Sequence, residues 1–397
     1  MSPSGTAQSD HRPSLVTGPF VSLAAAALVF YIAGGLILPV TPRFVETSLG
    51  GGTFEVGIVF ASYAIASLLL RPIVGRSSDR FGRRPLLVGG TLLTLAGMLL
   101  HLVATNVTVL IAARSLLGAG EGFYLVAALA AASDLAPAAR RGEALSFLSL
   151  SLYLGIAIGP FIGETLLGVG DFNTVWLASA GLTGVAVVLS LLVPETAPMV
   201  VAHSAPRRRA PIIHPAGIFP GLMVLAGLWG MAGFIAFLPS YAQSVGMAGA
   251  SLPLLVYGLA VIGLRIVGAR VPDRYGSARV ASVALALSAA GLAVMGLVPT
   301  PLGLVAGTAV FAAGIAFTMP ALVSLALSRV PPEERGTVVG TTAIFMDVAF
   351  GFAPAVLGLV AASTGTGPTF LLSAAIAALG SAVLVARREF LRAPAVA

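Results

Sequence analysis

Stretches of about 20 mostly apolar residues recur about twelve times along this chain, and this recurrence limits what it can fold into. A helix needs about 20 such residues to cross the roughly 30 Å hydrocarbon core of a bilayer. We therefore predict an all-α integral membrane protein with about twelve transmembrane helices. The predicted spans lie near 17–40, 54–75, 85–104, 107–132, 143–168, 172–193, 215–239, 249–269, 280–298, 301–327, 338–362 and 367–387.

The charged residues are too few for a soluble domain and exclude several kinds of chemistry. Only 9% of the residues are charged, against about 25% in soluble domains. Lys is absent, which excludes a P-loop lysine and a Schiff-base lysine. Cys is absent too, which excludes thiolate metal sites and a Cys nucleophile. We expect no enzyme activity, no metal and no cofactor, with a proton gradient as the energy source.

The positions of the Arg residues predict the orientation. If both termini lie on one side, that side collects 18 of the 22 Arg residues, and the opposite side holds Arg43 alone. Cytoplasmic loops are enriched in Arg and Lys. The sequence thus predicts a multi-pass protein of the cell membrane with both termini in the cytoplasm. The net charge of +7 then reflects topology, and we expect no nucleic-acid partner.

The chain repeats itself at a shift of 194 residues. This shift superimposes Gly120 on Gly314 and Pro160 on Pro354, and it also matches the loops near residues 76 and 270. Transporters are commonly built from such repeats, with the substrate site between them. We predict a 6+6 pseudo-twofold duplication. Its parts are an N-terminal tail 1–16, a six-helix bundle 17–193, a linker 194–214, a second bundle 215–387 and a C-terminal tail 388–397.

The loop after the second span carries a motif of charged residues and glycines: Gly75, Asp79, Arg80, Gly82, Arg83 and Arg84. It resembles the G-x-x-x-D-R-x-G-R-R signature of the major facilitator superfamily. A degenerate copy, with Asp273, Arg274 and Gly276, follows span 8. The resemblance implies a cytoplasmic latch in which Asp134 pairs with one of the Arg side chains. The alternative is a generic cytoplasmic basic loop.

Spans 4 and 5 carry two further motifs. Arg114 precedes Gly118 and Gly120, which resembles a superfamily pattern tied to proton coupling. In span 5, the pattern resembles the G-x-x-x-G-P-x-x-G-G signature of the drug:proton antiporter branch, except that Glu164 replaces the last Gly. The alternative is ordinary Gly and Pro packing in a membrane helix. The residues of the span 5 motif are Gly155, Gly159, Pro160 and Gly163.

Acidic residues at membrane depth are the candidates for proton coupling. An ionisable group there is costly and normally faces water or a partner. We rank Glu121 first, Asp347 second and Glu164 third, with Arg114 as a cationic partner in the same cavity. A structural ion pair, or a carboxyl kept neutral for packing, is the alternative.

Aromatic and Met side chains on the spans that face the cavity in this superfamily are candidates for substrate contact: Tyr31, Phe123, Tyr124, Trp229, Phe234, Phe237, Phe317 and Met319. Such surfaces suit bulky apolar ligands, although each residue could instead face lipid. We predict a monomeric exporter of small hydrophobic or amphiphilic compounds in exchange for protons. The first alternative is an uptake symporter or facilitator of a sugar or small metabolite. A membrane enzyme or receptor is the second.

Overall fold

A computed structural model describes residue 15 and residues 17–137, 140–196, 213–268, 271–331 and 334–387. Nearly all of the expected tails and most of the expected linker therefore lie outside the described residues. The side chains of several helical residues lie outside the description as well, namely 71–80, 142, 146, 149, 153, 156, 157, 273 and 336.

The described part of the chain is helical. Eleven of its helices are long and apolar enough to cross a membrane, which supports a protein of many membrane spans. Helix α5 is also 29 residues long, but it includes side chains outside the description. The helices are α1 (Gly18–Thr47), α2 (Thr53–Phe81), α3 (Arg83–His101), α4 (Val107–Leu135), α5 (Arg141–Val169), α6 (Phe172–Leu192), α7 (Pro215–Ser244), α8 (Ser251–Gly268), α9 (Val271–Tyr275), α10 (Ser277–Leu297), α11 (Pro301–Leu327), α12 (Arg335–Thr364) and α13 (Thr366–Ala386).

Helix α1 is longer than the span predicted near 17–40. It begins after Thr17, whose side chain accepts a hydrogen bond from the Phe20 N–H. It continues to Thr47, through Pro39 and Pro42. The apolar run ends near residue 40, but the helix goes on because its polar last turns find partners at the end of the bundle.

Successive long helices run in opposite directions, so the loops after α1, α3, α5, α7, α10 and α12 lie at one end of the bundle. Arg43 lies near this end, which we call the Arg-poor end. The loops after α2, α4 and α11 form the opposite, Arg-rich end. We call α1–α6 the first half and α7–α13 the second half.

Small residues let neighbouring helices approach closely, and one such contact occurs in both halves. A Cβ on Gly120 of α4 would clash with Thr94 of α3. A Cβ on Gly314 of α11 would clash with Ser288 of α10 in the same way. Gly314 and Ser288 lie 194 residues after Gly120 and Thr94. The sequence shift thus corresponds to a repeated helix contact.

A buried apolar cluster joins the two halves. Phe237 of α7 and Leu357 of α12 belong to the same cluster as Leu36 and Val40 of α1. These residues are almost fully buried. Because apolar burial contributes about 25 cal/mol per Å², this cluster supports the contact between the halves toward the Arg-poor end.

Candidate functional site

The two halves are joined at the Arg-poor end by a buried carboxylate. Glu164 of α5 accepts a hydrogen bond from Arg43 Nη1 of α1 at 2.9 Å. The same oxygen, Oε1, accepts from the backbone N–H of Ala250 at 3.0 Å. Arg43 belongs to the first half and Ala250 to the second. One carboxylate oxygen therefore links an ion pair within one half to the backbone of the other.

The backbone of the second half is shaped to receive this carboxylate. A Cβ on Gly249 would lie 2.5 Å from Glu164 Oε1, so the absence of a side chain makes room for the carboxylate. Ala250 begins the first turn of α8, since its carbonyl accepts from the Leu254 N–H. A helix N-terminus carries partial positive charge and favours an anion. We call Arg43, Glu164, Gly249 and Ala250 the Glu164 clasp.

Arg43 also reaches the second half directly. When the Gln243 amide is oriented with its oxygen toward the guanidinium, that oxygen accepts from Arg43 Nε at 3.1 Å and Nη2 at 3.3 Å. Gln243 lies in the last turn of α7. Arg43 thus contacts groups in both halves.

A second polar contact lies close by. The Ser240 hydroxyl of α7 contacts both Glu46 oxygens of α1, at 3.0 and 2.8 Å. These residues are 194 positions apart and are therefore equivalent under the sequence repeat. Equivalent residues of two repeats touch only where the symmetry axis passes between them. The Glu46–Ser240 contact therefore lies where the expected pseudo-twofold axis would pass, at the Arg-poor end.

An apolar cleft between the halves lies one helical turn inside these polar contacts. Pro39 is four residues before Arg43, and Pro160 is four residues before Glu164. Both prolines line the cleft, which the polar contacts cover on the Arg-poor side. The complete lining is Leu38, Pro39, Pro160, Phe234, Ile235, Leu238, Pro239, Leu254 and Tyr257.

The span 5 motif brings α5 against α1. A Cβ on Gly163 would clash with the Leu36 carbonyl, and a Cβ on Gly159 would lie 2.7 Å from the Gly35 Cα. Gly155 packs against Tyr31. The three glycines lie on one face of α5 at intervals of four residues. The motif thus fixes α5 on α1 and places Pro160 and Glu164 at the contact with the second half.

Arg114 and Glu121 of α4 both lie against α2. The Arg114 guanidinium lies 4.7 Å from the centre of the Phe60 ring and 5.7 Å from that of Tyr63. Ser67 donates a hydrogen bond to Glu121 Oε2 at 2.9 Å. Arg114 is almost fully buried, and its Nε has no hydrogen-bond acceptor among the described residues. The two ionisable groups share one helix face, about 10 Å apart along its axis.

Asp347 is buried in α12, which crosses α2 in the opposite direction. Gly358 of α12 packs on Thr53, and Gly351 packs on Ala64. This antiparallel register places Asp347 level with Ser67, the residue that binds Glu121. The structure therefore brings the first- and second-ranked acids to a similar depth of the bundle, whereas Glu164 lies closer to the Arg-poor end.

The aromatic and Met candidates for substrate contact divide into two groups. Tyr31, Tyr124, Phe234 and Phe237 are buried in packed clusters. Phe234 also lines the apolar cleft. Partly buried side chains make up the second group, which are Phe123, Trp229, Phe317 and Met319.

At the Arg-rich end, the loop between α2 and α3 contacts the end of α6. Glu195 accepts hydrogen bonds from the N–H groups of Arg83 and Arg84 at 2.8 and 3.2 Å. Arg83 Nε lies 3.3 Å from Asp134 Oδ2. Gly82 has a φ of 97°, a region that favours glycine. Glu195 therefore caps the start of α3 and ties this loop to the first half.

The remaining residues of the expected latch are described only in part. The side chains of Asp79, Arg80 and Asp273 lie outside the described residues, and so does the environment of Gly75. Gly276 repeats the positive φ of Gly82, at 87°. The latch between the halves at this end stays a prediction.

Comparison with known proteins identifies the family. A model of the Major Facilitator Superfamily (MFS) matches residues 23–340 and 221–395. The chain belongs to the major facilitator superfamily. An uncharacterized MFS-type transporter of Salmonella typhimurium is 33% identical over 379 residues, which cover 91% of this chain and 94% of the relative. A Burkholderia pseudomallei relative, also an uncharacterized MFS-type transporter, is 28% identical over 372 residues and covers 91% and 90% of the two chains.

Solved structures of MFS transporters share this fold. The nucleoside transporter NupG has a TM-score of 0.72 at 14% identity, over 93% of this chain and 99% of that one. The human organic anion transporter MFSD10 has a TM-score of 0.71 at 18% identity, over 92% and 98%. At these identities the likeness establishes the fold of this MFS transporter.

Sequence reasoning missed several residues that the structure places at the contacts. The sequence marked Arg43 only as the single Arg on the side opposite the termini. Its isolation could have indicated a specific partner, which the structure shows to be Glu164. Glu46 and Ser240 are related by the 194-residue shift, which could have paired them. Glu195 follows span 6 directly, but nothing in the sequence indicated its contact with α3.

Among the described residues, no group of His, Asp and Glu side chains has the arrangement of a metal site. Glu121, Arg114 and Glu164 instead lie beside a hydroxyl, an aromatic ring and a guanidinium, respectively. The described residues therefore combine ionisable groups at depth with an apolar surface between the two halves.

Proposed function

We propose that this MFS transporter exports small hydrophobic or amphiphilic compounds in exchange for protons by alternating access. The observation that carries the proposal is the interface between the halves, which is lined by apolar and aromatic side chains and bridged at its Arg-poor end by polar contacts. When the halves separate, an apolar surface with few polar groups favours ligands that bind by burial of apolar surface. A sugar would need several hydrogen-bonding partners instead.

Twelve spans in a 6+6 arrangement, with both termini in the cytoplasm, are part of the proposal. The repeated Gly120 and Gly314 contacts and the Glu46–Ser240 contact support the twofold repeat. Helix α5, at 29 residues, is long enough to serve as the twelfth span. The Arg-rich end then faces the cytoplasm, and the Arg-poor end faces the outside of the cell membrane.

Glu121 is the proposed proton-coupling group, with Asp347 as the second. Support comes from their similar depth beside α2, where Glu121 accepts from Ser67. Glu121 and Asp347 lie within long apolar helices, where an ionisable side chain is costly and normally faces water or a partner. Arg114 lies on the same face of α4 as Glu121 and supplies positive charge to the region. The proposal includes a monomeric protein without a cofactor.

Expression in a host that lacks its own efflux pumps tests the substrate class. We expect the transporter to raise the tolerated concentration of amphiphilic cations such as ethidium, and the Glu121→Gln variant to lose most of this protection at equal protein level. Asp347→Asn serves as the second variant. Unchanged protection in both variants would reject the assignment of these acids.

The direction of flux separates export from the alternative of uptake. In inverted membrane vesicles, the exporter accumulates ethidium when the lumen is acidified. An uptake symporter would instead drive a sugar or small metabolite in the opposite direction. Accumulation of such a metabolite by intact cells, with no effect on ethidium, would favour the alternative.

A further inference from the structure

We propose that Glu164 is the residue that holds the Arg-poor end of this transporter closed. The carboxylate lies in the first half, yet its Oε1 accepts from the N–H of Ala250, the residue immediately before α8 in the second half. When the halves separate at this end, this hydrogen bond has to break. The inference rests on alternating access but on neither the proposed substrate nor the proposed direction of transport.

The position of Glu164 is specific to one flank of the interface. Gly358 lies 194 residues after Glu164 and is its counterpart in the second half. Gly358 packs directly on the backbone of Thr53, which leaves no room for a side chain. The span 5 signature has a Gly at the position of Glu164 as well. The carboxylate is therefore an addition to a contact that elsewhere is made by glycine.

The arrangement of charges makes the Glu164 clasp sensitive to loss of one group. Glu164 is buried, and Oε1 receives both the Arg43 guanidinium and the Ala250 N–H. Oε2 has no hydrogen-bond partner among the described residues. Removal of the carboxylate would leave the buried Ala250 N–H and the partly buried Arg43 guanidinium without this acceptor, which is costly where little water can reach.

The environment supplies no second acid that could replace Glu164 directly. In the described part of the clasp, the groups that face the carboxylate are Arg43 and the backbone at residues 249–250. Glu46 is the nearby acid of α1, but its carboxylate is bound by Ser240. Glu164 thus provides a charged link that is separate from the Glu46–Ser240 contact.

A distance measurement across the Arg-poor end tests this assignment. The chain has no Cys, so nitroxide labels can be attached to Ser48→Cys and Ala248→Cys in the full chain without background. Both positions are exposed, one at the end of α1 and the other before α8. Pulsed electron–electron double resonance of the protein in lipid nanodiscs then reports the separation of the two halves.

We expect Glu164→Ala to raise the ratio of long to short distances about tenfold, which corresponds to about 1.4 kcal/mol. Gly249→Ala is an independent variant that leaves all charges in place. Its added Cβ would lie 2.5 Å from Oε1 and push the carboxylate out of its site, so the ratio should rise here too. In the Glu164→Ala background, Gly249→Ala should have no further effect.

Glu143→Gln is the matched control, because Glu143 lies on the same helix but pairs with Arg140 at 2.7 Å within one half. It should leave the distances unchanged. If Glu164→Ala does not yield folded protein, Gly249→Ala alone tests the proposal, and it should still raise the ratio of long to short distances. Distances equal to the parent in the folded Glu164 or Gly249 variants would overturn the proposal. If the unmodified protein does not transport ethidium, this result counts against the proposed function and not against the role of Glu164 in closure.

Discussion

The halves of this transporter meet along two flanks at the Arg-poor end, α5 against α8 and α2 against α12. On the first flank, the Glu164 carboxylate joins the halves through charge and hydrogen bonds. On the second, Gly57 packs on the Pro354 carbonyl and Gly358 on Thr53. The Thr53 hydroxyl adds one hydrogen bond to the Gly358 carbonyl, at 3.3 Å.

The difference lies at one pair of equivalent positions, Glu164 and Gly358. Close backbone packing on the α2–α12 flank depends on shape and tolerates no added atom. The α5–α8 flank depends on a charge and on the donors that surround it. We infer that both contacts hold the halves together at this end, the first through close packing of backbone and the second through charge and hydrogen bonds.

The largest expected effect comes from an added methyl group on the packed flank. Gly57→Ala would place a Cβ against the Pro354 carbonyl, which is backbone and cannot move aside easily. Overpacking costs about 1–3 kcal/mol, so the ratio of long to short distances at the Arg-poor end should rise by about 5- to 150-fold. The labels at Ser48→Cys and Ala248→Cys measure this ratio.

Gly351→Ala is the control for that prediction, because it is the same change on the same flank. Its Cβ would lie 3.5 Å from the Ala64 Cβ, an ordinary van der Waals distance. We expect little change in the distances. Equal effects of the two substitutions would show that close packing at Gly57 is not what sets the fit of this flank.

The next effect concerns the charged flank. Glu164→Gly gives α5 a glycine, the residue found at the equivalent position 358 of α12. This change should open the cleft to water. A single Cys at Leu38, in the cleft lining, should then react with a charged maleimide about tenfold faster, for the loss of about 1.4 kcal/mol. A reaction rate equal to that of the parent with Glu164 would show that Glu164 does not limit access of the reagent to the cleft.

A smaller effect is expected at the Glu46–Ser240 contact between the flanks. Ser240→Ala removes the hydrogen bond to Glu46 while the rest of the interface stays in place. A hydrogen bond contributes about 0.5–1.5 kcal/mol net, so the Leu38→Cys reaction should accelerate by about 2- to 10-fold. Thr308→Ala, a buried hydroxyl within the second half, should leave the rate unchanged.

The smallest effect is expected at Asp171, which lies at the Arg-poor end but on neither flank. Its side chain accepts from the Thr174 N–H at 2.8 Å and caps α6. This hydrogen bond, together with that of the Thr174 hydroxyl, holds the pKa of Asp171 below its ordinary value. Asp171→Ala should slightly lower the Tm without changing the Leu38→Cys reaction.

The pH dependence of that small effect has a definite sign. Because the pKa is lower in the folded protein, the cap stabilises fully above the ordinary value of about 3.9. The stabilisation is lost as the pH falls through the lowered pKa. The Tm difference between parent and Asp171→Ala should therefore be constant at neutral pH and shrink in acid. A difference that grows in acid would contradict this account of the cap.

Much of the fold was predictable because membrane helices have a simple length requirement. The span predicted near 301–327 coincides with α11, and the 194-residue shift anticipated the related contacts of Gly120 and Gly314. The end of α1 was not predictable from hydropathy. Its last turns are polar, and they are helical because Arg43 and Glu46 bind groups on other helices.

The site was predictable only in its parts. The motif on α5 indicated a close helix contact, and the glycines do pack on α1. The role of Glu164 depends on Arg43, 121 residues earlier, and on a backbone N–H, 86 residues later. No local pattern encodes such distances. The Ala250 N–H is a backbone donor, and every residue except proline has one, so the sequence could not single it out.

Transport in reconstituted proteoliposomes tests the central claim of proton-coupled export most directly. Vesicles with an acidic lumen in a neutral medium should accumulate ethidium, because protons leaving the lumen drive the compound in. Vesicles without a pH difference should only equilibrate with it. Accumulation that requires an acidic medium instead, or flux that is indifferent to the pH gradient, would contradict proton antiport by this transporter.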